Sequence, residues 1–266
     1  MSLIAVASAK GSPGATTLAL VLGLARPPAR GCLIVEADPD GGSLAARLGL
    51  SYEPGLVELA AAARREMPDA ATVDRFTQGL GGGLSLVAGP PSAEQAQAAL
   101  TTSAPSLASG LAALGAADCI ADLGRVSAKS PSLEFARRAA VTLVVVRPTV
   151  HDVQYLPSRV ETLRRAGCVV ELVCVGTRPY DPTEVAAHLG VPLFGVWGDD
   201  RPMTELLWES GASTKRLRRS IWWRSTVDLA STVAMRMAPH YITDPIDRPG
   251  LLDEDAPVSV PALQRF

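Results

Sequence analysis

The sequence predicts an α/β fold: a doubly wound, mainly parallel sheet with helices on both faces, the three-layer arrangement. Three observations predict it. Short apolar, β-branched runs alternate with Ala/Leu/Arg-rich stretches of helical period, the pattern of repeated βαβ crossovers. Several of those runs are apolar almost throughout, as strands covered on both faces must be. The 266 residues, 47% apolar and only 20% charged, suffice for one full core.

Taken in order, strands are expected at 3–8, 32–37, 84–88, 119–122, 141–146, 169–175 and 193–196. Helices are expected at 16–25, 43–48, 57–65, 94–100, 106–114, 132–139, 153–166 and 184–188. A last long helix is expected over 213–237, because Leu217, Ile221, Leu229, Val233 and Met237 fall on multiples of four along one face. Residues 1–237 thus make one domain. Residues 238–266 hold five prolines and the cluster Asp253-Glu254-Asp255, a composition that packs no core and is expected as a mobile tail.

Composition sets further bounds. Aromatics are 5%, so Ala, Val and Leu must build the core. A net charge of −2 argues against binding nucleic acid through overall charge, so any basic surface must be local. Cys32, Cys119, Cys168 and Cys174 form no C-x-x-C pair and read as small buried hydrophobes in a reducing compartment. Residues 2–8 are apolar but too short and lack a basic flank for a secretory signal, and no apolar run approaches the ~20 residues of a membrane span. A cytoplasmic location is expected.

The first strand runs into Lys10-Gly11-Ser12-Pro13-Gly14-Ala15-Thr16-Thr17 and then an Ala/Leu helix. Glycines at such a turn let backbone N–H groups point inward at a phosphate, and the helix start adds the positive end of its dipole. Thr16 stands where P-loop proteins place the hydroxyl that holds Mg²⁺.

This string resembles the deviant phosphate-loop motif of the MinD/ParA family of P-loop ATPases, K-G-G-x-G-K-T-T. Lys10, Gly11, Gly14, Thr16 and Thr17 match; Ser12 replaces a glycine, and Ala15 replaces the lysine that grips the β- and γ-phosphates. Other strings fall in the family's order. Val35-Glu36-Ala37-Asp38-Pro39-Asp40-Gly41-Gly42 resembles D-x-D-P-x-G, with Asp38 at the catalytic carboxylate that positions water. Cys119-Ile120-Ala121-Asp122 ends as the strand whose aspartate faces Mg²⁺ through water, and residues 141–148 resemble the strand that ends in an R/T-P turn. Val196-Trp197-Gly198-Asp199-Asp200-Arg201 looks like the turn beside adenine, with Asp200 at its acid. Where the family carries an adenine-contacting Asn, Val175 is followed by Gly176, and no N-K-x-D guanine motif is present.

The resemblance implies ATP or ADP and Mg²⁺ as ligands, held by Gly11, Ser12, Pro13, Gly14, Ala15, Thr16, Thr17 and Asp200, with Thr16 and Asp122 at the metal. It implies a homodimer in which Lys10 reaches the partner's nucleotide, and a positioning or partitioning switch that recruits another complex. Without the loop lysine, hydrolysis is expected to be slow or absent. The degenerate loop is also similar to that of the TadZ/CpaE branch, which positions pilus or secretion machinery. Lys215, Arg216, Arg218, Arg219 and Arg224 surround Ile221-Trp222-Trp223, a string that could meet an anionic membrane or a DNA backbone. The bland reading of that string is a Trp in the core and solvated arginines.

Two other readings stay open. One is a scaffold that keeps the fold and no longer binds nucleotide. The other is a dinucleotide enzyme, since Gly11-x-x-Gly14 opens a helix after a strand and Glu36 stands where an acid can bind a ribose. Against it, the third glycine is missing, and Tyr155 is followed by Arg159 rather than lysine four residues on.

Overall fold

The computed structural model describes residues 3–10, 13–26, 31–115, 117–208 and 214–237. Gly11 and Ser12, Ser213 and the tail 238–266 lie outside them, as do the side chains of Lys215 and Met237.

Eight strands form one sheet: β1 (Leu3–Ser8), β2 (Gly31–Glu36), β3 (Gln78–Gly81), β4 (Leu84–Val87), β5 (Ala117–Arg125), β6 (Thr142–Val146), β7 (Val170–Val175) and β8 (Leu193–Trp197). Their order is β3-β4-β2-β5-β1-β6-β7-β8, and every neighbour pair is parallel except β3–β4. In β1, β6 and β7 every residue is buried, because helices cover both faces.

The helices, in chain order, are α1 (Ala15–Leu24), α2 (Leu44–Leu48), α3 (Leu56–Ala63), α4 (Ala70–Asp74), α5 (Ala93–Ala113), α6 (Leu133–Arg138), α7 (Val150–Val153), α8 (Leu156–Arg165), α9 (Pro182–Leu189), α10 (Arg201–Trp208), α11 (Thr214–Arg219) and α12 (Ile221–Met237). Alternate strand residues divide the core. Leu33, Val35, Cys119 and Ala121 face α3, α5, α6, α8 and α9; Ile4, Val6, Ile34 and Ile120 face α1, α2 and α10–α12. All four cysteines are free and buried.

The structure corrects three expectations. β3 is a strand although Gln-Gly-Leu-Gly has no β-branched residue; Gly81, Gly82 and Gly83 all take positive φ and turn it back onto β4. α5 is one helix, not two. Pro105 removes a helical N–H, yet Ala96, Ala99, Leu100, Ala104, Leu107, Ala108 and Leu111 form an unbroken buried stripe that offsets a loss of about 3 kcal/mol.

The third correction concerns the last helix, which breaks at Ser220. That residue's hydroxyl accepts the N–H of Trp223 at 3.0 Å and so starts a new helix with a shifted phase. Ile221, expected on the buried face, is 71% exposed, while Trp222 and Trp223 are buried beside Leu217, Leu229 and Val233. The rephasing makes a prediction for urea unfolding. Trp222→Ala should cost about 3–5 kcal/mol, whereas Ile221→Ser should stay within about 0.5 kcal/mol of wild type.

Candidate functional site

Strands β1, β2 and β5–β8 all end at one edge, where open α/β sheets bind ligands. A cleft of about 670 Å³ lies there. Its floor at one end is the phosphate loop. Gly14 takes φ 99 as the N-cap of α1, a conformation that favours glycine. No side chain caps this helix and no acid lies in its first turn, so the N–H groups of Ala15, Thr16 and Thr17 have no helical acceptor and the dipole is unopposed. Pro13, Gly14, Ala15, Thr16 and Thr17 all line the cleft.

Beside the loop stand three acids with different tasks. Asp122 is buried in β5; its carboxylate accepts the Thr16 hydroxyl and, at 3.1 Å, the Gly124 N–H. Burial pushes it up to about 6, those two donors pull it down, and the Glu36 charge adds to the rise. Asp38 follows β2 and presses on the bare Cα of Gly124, where a Cβ would lie 1.8 Å from the carboxylate. Burial pushes it too up to about 6; the charges of Asp122 and Asp40 add to that, and the Asp40 N–H and Arg125 oppose it.

Glu36 is different. Its oxygens accept N–H groups of Ser43 (2.7 Å), Leu44 (2.8 Å) and Gly89 (3.0 Å), so it is a tether and is not free to bind a ribose. Burial raises its pKa, and these three donors oppose the rise.

A buried carboxylate bonded to a hydroxyl at a helix N-terminus, with a second carboxylate close by, suits Mg²⁺. That ion takes one or two protein ligands and fills the rest from water and phosphate. The described residues hold no cluster of three His, Cys, Asp or Glu able to bind a metal unaided. Thr16 and Asp122 therefore fit a cation that arrives with a phosphate.

The lysine's place is apolar. Ala15 is buried in one cluster with Trp197, whose indole lies against Gly14; a Cβ there would be 3.1 Å from the ring. Trp197 is fixed by donating to the Thr226 hydroxyl at 2.9 Å and by Trp222, 5.4 Å away between ring centroids. Lys10 does not line the cleft: its ammonium sits 3.9 Å from the centroid of the Tyr155 ring. Asp200 lines the cleft and also caps α10, accepting the Met203 N–H at 3.1 Å.

Positive charge in the cleft comes from residues that sequence reasoning passed over. Arg125 pairs with Asp40 at 2.8 Å, Arg201 with Glu205 at 2.9 Å, and Arg147 stands 3.6 Å from Asp199. Arg47 lies over the Trp208 ring at 4.6 Å. Their signal was position. Arg125 ends β5, Arg147 directly follows β6 and Asp199 closely follows β8, each at the carboxyl edge of the sheet. In the basic cluster, Arg216, Arg219 and Arg224 are exposed and Arg218 is half-buried. The tryptophans between them are core, so an anionic surface would meet arginine and Ile221, not paired indoles.

No family model and no curated protein matches the chain. Solved structures do. A ParA family ATPase from Chlorobium tepidum TLS superposes at TM-score 0.73 with 19% identity, covering 86% of this chain and 98% of that one. The septum site-determining protein MinD of Pyrococcus horikoshii OT3, complexed with Mg-ADP, gives 0.68 at 18%, covering 87% and 95%. The MinC:MinD cell division complex of Aquifex aeolicus gives 0.60 at 16%, covering 88% and 96%. The fold is that of the MinD/ParA P-loop ATPases. No described helix is long and apolar enough to cross a membrane.

The buried acids set a pH dependence. With a folded pKa near 6 and an ordinary value of 3.8, Asp122 binds its proton more tightly in the native state. Its stabilising contribution is complete below about pH 3.8 and lost as pH rises through 6. Asp122→Asn keeps a partner for Thr16 without the charge. With divalent cations chelated, the variant's melting temperature should gain on wild type between pH 5 and 7.5. A constant difference across that range would show that Asp122 is not the group responsible.

Proposed function

We propose that the chain is a nucleotide-dependent positioning switch of the MinD/ParA type, with weak or lost ATP hydrolysis, that dimerises and recruits a partner complex. The observation that carries this reading is the grouping of Thr16, Asp122 and Asp38 around the uncapped start of α1, with Ala15 where a lysine would stand. The likeness to a MinD holding Mg-ADP and to a MinC:MinD complex supports it.

The residues divide the work. The N–H groups at the start of α1 take phosphate oxygens. Thr16 and, through water, Asp122 hold Mg²⁺, which when bound neutralises phosphate charge. Asp38 orients water toward the terminal phosphate; its raised pKa means that it becomes fully ionised only above about pH 6. Turnover is slow because no in-chain lysine stabilises the charge that develops on that phosphate. Lys10 supplies positive charge across the dimer interface instead, leaving Tyr155 to reach the partner's nucleotide. The degenerate loop fits the TadZ/CpaE branch. Arg216, Arg219 and Arg224, exposed, and Arg218, half-buried, offer a local basic surface to an anionic membrane or DNA backbone, and Lys215 adjoins them in the sequence. The protein works in the cytoplasm.

One observation favours a second reading, the scaffold without nucleotide. Trp197 packs on Gly14, and Ala15 joins its apolar cluster, so part of the loop is committed to the core. The dinucleotide reading loses its ribose acid, because both Glu36 oxygens are engaged.

Light scattering with and without Mg-ATP separates the readings. Wild type should shift from monomer to dimer on addition of nucleotide, and Lys10→Ala should abolish the shift while leaving the monomer folded. A dimer unchanged in the variant would make Lys10 a surface residue. A wild type that stays monomeric would favour the scaffold.

A further inference from the structure

The far end of the cleft carries chemistry that the phosphate end does not explain. Adjacent strands lie ~4.8 Å apart, so the end of β7, two strands from β1, is roughly 10 Å from the phosphate loop. That is where the base of a nucleotide seated on the loop would lie. At this point Gly176 takes φ 77 and donates its N–H to the Trp197 carbonyl at 2.8 Å. Its Cα lies against Asp199; a Cβ on it would be 3.1 Å from the Asp199 Cβ. A side chain at 176 would be strained by that φ and would press on Asp199, which stands beside a position that carries no side chain.

Arg147 stands beside that carboxylate. Its guanidinium nitrogen is 3.6 Å from Asp199 Oδ1, too long for a hydrogen bond, and the two side chains are 44% and 52% exposed. No side-chain hydrogen bond among the described residues engages either, and both line the cleft. The cleft thus offers an acceptor with two oxygens next to a fork of N–H donors, both with capacity to spare.

We infer that Asp199 and Arg147 read the base and that this site prefers guanine to adenine nucleotides. Guanine presents the N1–H and N2–H donors beside the O6 acceptor. Asp199 accepts the two donors and Arg147 donates to O6. Adenine offers Asp199 one donor, N6–H, and Arg147 one acceptor, N1, so it can make two of the three hydrogen bonds that guanine makes and leaves one carboxylate oxygen unmatched. A site built for paired hydrogen bonds rejects the analogue that leaves its polar groups unmatched. The inference rests on the nucleotide reading above and replaces its adenine nucleotide with a guanine one, so the light-scattering test would use Mg-GTP beside Mg-ATP.

The test is calorimetric titration of Mg-GTP, Mg-ITP and Mg-ATP into the full chain and into Asp199→Asn. Wild type should bind GTP at least about ten-fold more tightly than ATP, on the scale of a good bidentate base contact. ITP, which lacks the 2-amino group, should fall between them. Asp199→Asn should reduce the GTP preference to about two-fold or less, because its amide brings a donor to a donor edge. The residue is half-exposed, so the variant should melt with wild type. ATP binding as tightly as GTP in wild type overturns the inference and leaves the nucleotide reading standing. A preference unchanged in Asp199→Asn overturns the role of Asp199. Failure of all three nucleotides to bind at millimolar concentration overturns the nucleotide reading and this inference with it.

Discussion

The carboxylate of Glu36 is the contact on which the architecture of the site depends. A buried carboxylate costs several kcal/mol unless it is fully engaged. Here three backbone N–H groups engage it, from Ser43, Leu44 and Gly89. Those donors tie the end of β2 to the start of α2 and to the loop after β4. The approach is so close that a Cβ on Gly42 would lie 2.6 Å from a Glu36 oxygen, and one on Gly89 would lie 3.1 Å from the Glu36 Cβ. With the chain fixed on both sides, residues 37–42 have little freedom. Asp38 is held against Gly124, and the main-chain N–H of Ala37 bonds the Asp122 carbonyl at 2.8 Å. One buried acid thereby fixes the surroundings of the two acids beside the phosphate loop.

That placement has an electrostatic consequence. Asp38 and Asp122 are pushed toward 6 chiefly by burial, and among the described residues no lysine is one of the charges that act on them. A site in this condition is short of positive charge, which a divalent cation supplies. The cleft's arginines are already turned toward Asp40 and Glu205 or stacked on Trp208. Arg147, held only loosely near Asp199, is the exception. Charge for an incoming phosphate must come from the helix start, from a metal, or from a second subunit.

Much of this was legible in the sequence, and the rest was not, for physical reasons. The central strands declared themselves because burial on both faces demands continuous apolar runs. The phosphate loop, Asp38 and Asp122 were marked by strings that resemble the family's motifs, although the strand expected to end at Asp122 runs on to Arg125. β3 was invisible because its pairing is set by three glycines rather than by its own side chains. The phase of α12 was misread because Ser220 interrupts a spacing that otherwise runs on by fours. Glu36 was read as a motif acid when its carboxylate holds the start of α2 and the loop after β4, and no pattern marks that except the glycines that crowd it. Asp199 emerged only in three dimensions, since its neighbour Gly176 lies on another strand.

We propose that the cleft takes a Mg-nucleotide through Thr16, Asp122 and the start of α1 without an in-chain lysine. Calorimetric titration of a non-hydrolysable purine triphosphate into wild type and Thr16→Ala, with Mg²⁺ present and with it chelated, tests this. Wild type should bind saturably, and binding should weaken by about ten-fold or more when either the hydroxyl or the metal is removed, the scale of a hydrogen bond to a charged group. Identical binding under all four conditions, or no binding to wild type at millimolar nucleotide, would contradict it.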